Sequence, residues 1–352
     1  MEDTDARCLE QHFTACPDCL RPLLVSLNGH NSWLMSFPRP QADQQQSGRA
    51  YFHIVLEPWL VGPADLVASW FIHIDLPSSP AFPTAHAVEA VARHIEELAS
   101  KHVLNRRMSN EVFNPAGHID AILLGFHYYS HVHEATLREF HGNVPVVATP
   151  QAARIIKPWN HFSTIDIIHN LDHAAASWRA PHLHPGPSLP PWLTVLHLPG
   201  HREMNFCTAI VWTHTQQDGD AAVEVHETIL TSPYGILPNQ GSLQAFLVSE
   251  PQTRKLALLH GTKESHIGGK QTSLGVKSGL ALYRHLGGVK YWLLAHDLPL
   301  TYSGIFMRLS RTADTPRTLE WALDQERSKK SVPKKQPDVF RVPNGSCLVL
   351  EA

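Results

Sequence analysis

The chain has 352 residues, 43% of them apolar and 17% charged, with a formal net charge of −3 when every His is neutral. Such a length and apolar content build one large α/β domain or two ordinary ones, and the near-balanced charge supplies no sustained field to attract nucleic acid. No run of about 20 apolar residues occurs, so nothing is expected to span a membrane and no membrane partner is expected.

The N-terminus, MEDTDARCLEQHF, is acidic and polar and lacks the basic and apolar regions of a secretory signal, so a cytoplasmic location is expected. Five Cys at irregular spacing argue for reduced thiols over a disulfide framework. Cys16 and Cys19 form a lone CxxC with Cys8 upstream; without a second pair this reads as an exposed tail, with a zinc knuckle as the alternative. Residues 1–24 are therefore taken as an N-terminal extension and 25–352 as a single domain. The chain holds 25 His, so protonating them would carry its charge far positive, and marked pH sensitivity is expected below about 6.5.

Ala85 to His102 places apolar residues at three- and four-residue spacing between charges, an amphipathic helix packed on one face. Ile119 to Leu124 is a short apolar run that reads as a buried strand, and His131 to Phe140 (HVHEATLREF) has helical spacing. Histidines thus cluster where a strand hands over to a helix. A further helix begins at Pro150 and runs to Ile156, with Thr149 as its cap. Residues 169–191 are rich in Pro and His and read as a surface excursion. Strands follow at Trp192–Leu198, Thr208–His214, Val223–Thr231 and Lys255–His260, then a helix at Gly275–Leu286, a strand at Lys290–Ala295 and a helix at Thr315–Arg327. The basic run Lys329 to Lys335 reads as a solvated loop. Strands and helices occur in two successive rounds, which two sheets with helices on both outer faces accommodate.

Several segments resemble the metallo-β-lactamase superfamily, its fungal members in particular. The strand ending at Leu124 leads into a segment similar to the family's THxHxDH motif. With the final His at His131, Gly125, Phe126, Tyr128 and Ser130 stand where the Thr, two His and Asp would be. NGHNSWLMSFP from Asn28 and YFHIVLEPWLVGP from Tyr51 resemble the opening strands, with Glu57 at an Asp position. NVPVVATPQAARII from Asn143, LPGH ending at His201, SPYGI from Ser232 and YWLLAHD ending at Asp297 follow in the family's order, so the resemblance covers roughly residues 25 to 350. It implies an α/β, αββα sandwich with the pocket at the carboxyl end of the Ile119–Leu124 strand.

The resemblance also implies where metal would bind. A dinuclear centre needs about seven protein ligands and an open position for the attacking hydroxide. At the first metal position Phe126 and Tyr128 replace the histidines and leave His201. At the second, Ser130 replaces the Asp while His131 and His296 remain, and Tyr234 stands where many fungal members have His. His127, one residue out of step on an extended segment, points away from the pocket, and His133 reaches it only through a loose turn. His131, His201 and His296 are left as a three-histidine site for a single zinc, since imidazole suits that ion. With no metal, His131, His296, Tyr128 and Asp297 are candidates for acid/base work, Asp297 serving equally to fix the His296 tautomer. Phe126, Ser130, His133, Tyr234 and Cys207 are expected to line the pocket. No GxSxG occurs, and the segment Gly268 to Thr272 lacks the first Gly of a phosphate loop.

Two classes of function follow. One is a small-molecule enzyme of secondary metabolism using the histidine pocket with one zinc or none, where loss of the hydroxide-generating pair favours isomerisation, elimination or cyclisation; a metal-dependent hydrolase with an atypical site is its variant. The other is a catalytically silent binding or scaffold protein whose aromatic side chains fill the emptied cavity. The resemblance favours the enzyme, with a small molecule as substrate or ligand. Oligomeric state is not legible in the sequence.

Overall fold

Neighbouring residues of each central strand go to different cores. In the strand Ala121–Leu124, Ile122 and Leu124 pack with Val88, Val91, Ala92 and Ile95 of the helix Ala85–His102, whereas Leu123 packs with Leu56, Ile210 and Leu259. Period-two alternation therefore fills both faces with apolar side chains, which is why these strands read as continuous apolar runs. The second sheet repeats the device: Val195, Ile210 and Ile229 face the first sheet, while Leu196, Val211 and Leu230 meet Leu243, Phe246, Val276, Leu280 and Leu323 from the outer helices.

The computed structural model describes residues 9–14, 20–102, 117–219, 221–328 and 336–351. One seven-stranded sheet runs in the order Cys347–Val349, Leu23–Ser26, Trp33–Pro38, Tyr51–Leu56, Ala121–Leu124, Val146–Ala148, Ile165–Ile167. The other, also seven-stranded, runs Val339–Phe340, Tyr291–Leu293, Arg254–Leu259, Ala221–Thr231, Asn205–Asp218, Leu193–Arg202, His169–Asn170. Helices Gly241–Val248, Gly275–His285 and Leu319–Arg327 cover the second sheet and Ala85–His102 the first, so the layers are helix, sheet, sheet, helix. Tyr51–Leu56 and Ala121–Leu124 are parallel, as are Ala221–Thr231, Arg254–Leu259 and Tyr291–Leu293. Glu57, Phe126, Tyr234 and His296 all lie just past the carboxyl ends of these strands, the edge at which α/β sheets assemble their sites.

Some expectations need correction. The helix expected from His131 is the single turn Glu134–Leu137. The helix expected from Thr315 starts at Leu319, capped by the Thr318 side chain, because Ala313–Thr315 pairs as a strand with Glu264–Ile267. The excursion at 169–191 is partly interior: His169–Asn170 joins the second sheet, and Trp178, Leu183 and Leu189 are buried. Within the N-terminal extension, residues 9–14 are helical and bury Leu9 and Phe13, the latter 6.2 Å from the Tyr51 ring. Cys8, Cys16, Cys19 and the Lys329 to Lys335 run lie outside the described residues. Among the described residues no helix is long and apolar enough to cross a membrane.

Leu123 is 1% exposed between the sheets, so Leu123→Ala should cost about 2–5 kcal/mol through lost transfer energy and the cavity left behind. Val248, 72% exposed on an outer helix, should tolerate Ala within about 0.5 kcal/mol. Urea midpoints of the two variants check the layer assignment; equal shifts would refute it.

Candidate active site

The turn at Tyr128 aims His131 inward, its carbonyl accepting the N–H groups of His131 at 2.7 Å and Val132 at 2.8 Å. The imidazole is then held at both ends: Nδ1 lies 2.5 Å from Glu57 Oε2 and Nε2 lies 2.9 Å from the Tyr234 hydroxyl. Because a carboxylate only accepts, Nδ1–H donates to Glu57, and in the neutral ring the Tyr234 O–H donates to Nε2. Glu57 has φ 45, a left-handed conformation uncommon for a side chain with a Cβ, and its setting is over-determined. Its N–H donates to Leu123 O at 2.9 Å, its carbonyl accepts from Ser32 Oγ at 2.7 Å, and its Oε2 also accepts from Asn31 Nδ2. Asn28 shapes that loop by gathering the N–H groups of His30, Asn31 and Ser32 on Oδ1.

Two further histidines stack on this chain of bonds. The His296 N–H donates to His30 O at 2.7 Å, and the His30 and His296 rings are 4.5 Å apart. His296 lies 5.5 Å from His131, with 20° between the planes, and 4.5 Å from Tyr234. Like Glu57, His296 takes a left-handed backbone, φ 56. Burial first, then neighbouring positive charge, pushes His30 and His296 well below the usual imidazole range, so both are neutral. Burial likewise drives the Tyr234 hydroxyl well above its usual range, keeping it protonated. Both His30 nitrogens and His296 Nδ1 are buried without a hydrogen-bond partner. Such atoms cost about 1–3 kcal/mol each, and in native proteins they ask for an explanation.

Aromatic rings fill the space on the other side of His131. Phe126 and Phe206 are 2% and 1% exposed, with ring centres 5.2 Å apart. Phe126 meets Tyr234 at 5.3 Å and the edge of His131 at 5.3 Å. Tyr128 closes the outside, 39% exposed, its ring 4.4 Å from Phe126. Gly125 belongs where it is, because a Cβ there would come within 3.1 Å of both Glu57 Oε1 and Thr208 Oγ1.

The structure thus brings together His131, His296, Tyr128, Phe126 and Tyr234, with Ser130 near enough to the Tyr234 hydroxyl to offset slightly the effect of its burial. It leaves out four other candidates. His201 is exposed on the hairpin between Leu193–Arg202 and Asn205–Asp218, with no hydrogen bond or ring contact to His131 or His296 among the described residues. The bulge between Leu198 and Arg202 is possible because Gly200 approaches Asn205 O so closely that a Cβ would sit 1.7 Å from it. Asp297 does not orient His296: its Oδ1 accepts from Thr262 N at 2.5 Å, Thr262 Oγ1 at 2.9 Å and Lys263 N at 3.1 Å, and Oδ2 pairs with Arg341. His133 caps the Glu134–Leu137 turn, with Nδ1 accepting from Thr136 N and Nε2 3.1 Å from Pro63 O. Cys207 belongs to the core under the outer helices, where burial pushes its thiol far up. His127 lies 3.8 Å from Glu203 and flanks Phe126.

These residues do not fit a dinuclear zinc centre. Phe126 and Phe206 offer no donor atoms, and both His131 nitrogens already serve Glu57 and Tyr234. The three-histidine set is not gathered by any contact among the described residues, since His201 is exposed on its hairpin. Among the described residues no group of three or more His, Cys, Asp or Glu side chains is placed to hold a metal ion. Sequence reasoning missed His30, Asn31 and Phe206, and it placed Glu57 at an Asp position without giving it His131 as partner. A signal existed in NGHNS, since an Asn with Oδ1 free to gather successive N–H groups marks a tight turn.

Acid should unfold the protein through its buried neutral histidines. His197 and His260 are lowered to about 4 by burial, and His30, His53 and His296 are also lowered. The unfolded chain takes up protons near pH 6.5 while the folded one refuses them, so stability is full above about 6.5 and is lost as pH falls toward the folded values. His197 and His260 each contribute a loss of about 3 kcal/mol by pH 4. Urea midpoints should hold from pH 7.5 to about 6.5 and fall from there to pH 5; a profile flat throughout would contradict this burial.

No protein-family model and no curated protein matches the sequence. Among solved structures, an isothiocyanate hydrolase from Delia radicum gut bacteria aligns over 94% of this chain and 100% of its own, at 12% identity and TM-score 0.52. A possible metal-dependent hydrolase from Veillonella parvula (10% identity, TM-score 0.47) covers 94% of this chain and 100% of its own. The metallo-β-lactamase fold protein YhfI from Bacillus subtilis (10% identity, TM-score 0.41) covers 93% and 99%. At such identities the likeness concerns architecture alone. The paired sheets, the outer helices and the site at the strand ends together make this chain an α/β protein with the metallo-β-lactamase-like αββα sandwich.

Proposed function

We propose that this chain is a catalytically silent binding or scaffold protein, in which the reaction centre of a metal hydrolase has become an internal brace. The observation that carries this reading is the hydrogen bond from Tyr234 to His131 Nε2, inside a wall formed by Phe126 and Phe206. The atom that would face a metal is already used, and the space beside it is filled. The sequence favours an enzyme; the filled cavity favours the silent protein.

A second reading has its own support. The Tyr234–His131–Glu57 chain could move a proton, three neighbouring imidazole nitrogens lack partners, and two residues carry strained backbones, features that collect at functional sites. A metal-free acid/base enzyme acting on a small molecule by isomerisation, elimination or cyclisation would use them.

Elemental analysis of the purified protein should find no tightly held metal; two equivalents per chain would revive the hydrolase. His131→Ala strands the Glu57 carboxylate and the Tyr234 hydroxyl, so it should lose several kcal/mol, whereas Tyr234→Phe strands only one imidazole nitrogen at about 1–3 kcal/mol. Melting curves in that order support the brace. Unchanged melting would refute it, and loss of a turnover found in metabolite extracts would favour the second reading.

A further inference from the structure

The connections that leave Glu57 and His296 carry an apolar face that is exposed among the described residues. A small three-stranded sheet pairs Ala64–Leu66 with Ile72–Asp75 and the latter with Thr301–Ser303. The short helix Ile305–Leu309 follows and is pinned to the hairpin, Ile305 N donating to Trp70 O at 2.8 Å and Phe306 N to Phe71 O at 3.1 Å. Gly304 permits this close approach, since a Cβ would lie 2.5 Å from Phe71 O. Met307 alone turns inward; Ile305, Phe306 and Leu309 face out. Val67 and Leu309 are each 80% exposed, Trp70 63% and Ile305 52%, and Phe71 joins the hairpin to the helix, its ring 5.8 Å from both Trp70 and Phe306. Val67 is pushed out by a left-handed backbone, φ 67, unusual for a β-branched residue. Soluble proteins seldom leave so many large apolar side chains together without a use.

Charge selects the occupant. Residues 66–72 carry no charged side chain, and residues 304–312 carry only Arg308 and Arg311. Both are exposed, and neither guanidinium has an ion pair or hydrogen bond among the described residues. The nearest acids are engaged: Asp65 and Asp75 flank His73 at 2.7 and 3.1 Å, and Asp314 holds Lys263 at 2.8 Å. Exposed Trp, Phe, Ile and Leu beside free arginines, with no free acid between them, is the composition of an element that lies in a lipid interface with its cations among anionic headgroups.

We propose that this face, Val67, Trp70, Ile305, Phe306 and Leu309 with Arg308 and Arg311, docks the protein onto an anionic lipid surface. Docking of this kind is peripheral and needs no helix that crosses the membrane. The inference stands apart from the function proposed above, since none of these residues touches the His131 cluster.

Co-sedimentation of the full chain with vesicles tests it, using phosphatidylcholine alone and phosphatidylcholine with about a third phosphatidylserine. The protein should pellet with the phosphatidylserine vesicles and much less with the neutral ones. Trp70→Ser with Leu309→Ser should weaken binding by about tenfold or more, and Arg308→Gln with Arg311→Gln should remove the preference for phosphatidylserine. All four residues are exposed, so melting should be unchanged in both variants, a control run on the same samples. Absence of binding to phosphatidylserine vesicles overturns the proposal, as does binding that neither variant weakens. Sedimentation showing a dimer that Trp70→Ser with Leu309→Ser breaks, without vesicle binding, overturns it in favour of a second copy.

Discussion

Everything at the strand ends depends on His131 being satisfied at both nitrogens by protein partners, Glu57 Oε2 at 2.5 Å and the Tyr234 hydroxyl at 2.9 Å. A buried imidazole left short of one partner costs about 1–3 kcal/mol, and a buried carboxylate costs more. The three groups therefore belong together: each removes the penalty the others would incur. Coordination of a metal through Nε2 would have to displace Tyr234 from a site walled by Phe126 and Phe206.

The brace links both sheets. Glu57 and His131 extend from strands of the first, Tyr234 and His296 from strands of the second, and the His296 N–H returns to His30 in the first. The left-handed backbones of Glu57 and His296 are held at this seam, where bonds from Leu123, Ser32 and His30 fix them. Burial holds His30 and His296 in this seam well below the usual imidazole range, which ties the stability of the sandwich to pH. The same two connections, after Glu57 and after His296, go on to build the exposed apolar face, so the seam also positions the surface.

The sandwich was legible because its strands alternate between two apolar cores and because the amphipathic period of Ala85 to His102 is unmistakable. Helix ends were less so: Thr318, not Thr315, supplies the cap, and the pattern after His131 lasts only one turn before Phe140 turns into the core. Within the site, His131, His296, Tyr234 and Phe126 were readable from their places in a resembling motif. His201 was misplaced because the residue order PGH does not reveal the bulge that Gly200 permits, and Asp297 because its partners Thr262 and Arg341 come from distant segments. The Glu57–His131 pair spans 74 residues, a separation that no local pattern encodes.

Nitrogen NMR of the His131 imidazole, assigned by comparison with His131→Ala, tests the central interaction most directly. The expected result is a proton on Nδ1 and a hydrogen-bonded lone pair on Nε2, with both resonances unmoved when zinc is added and Nε2 shifting in Tyr234→Phe. A proton on Nε2, or a zinc-induced shift of Nε2 in the unmodified protein, would contradict it.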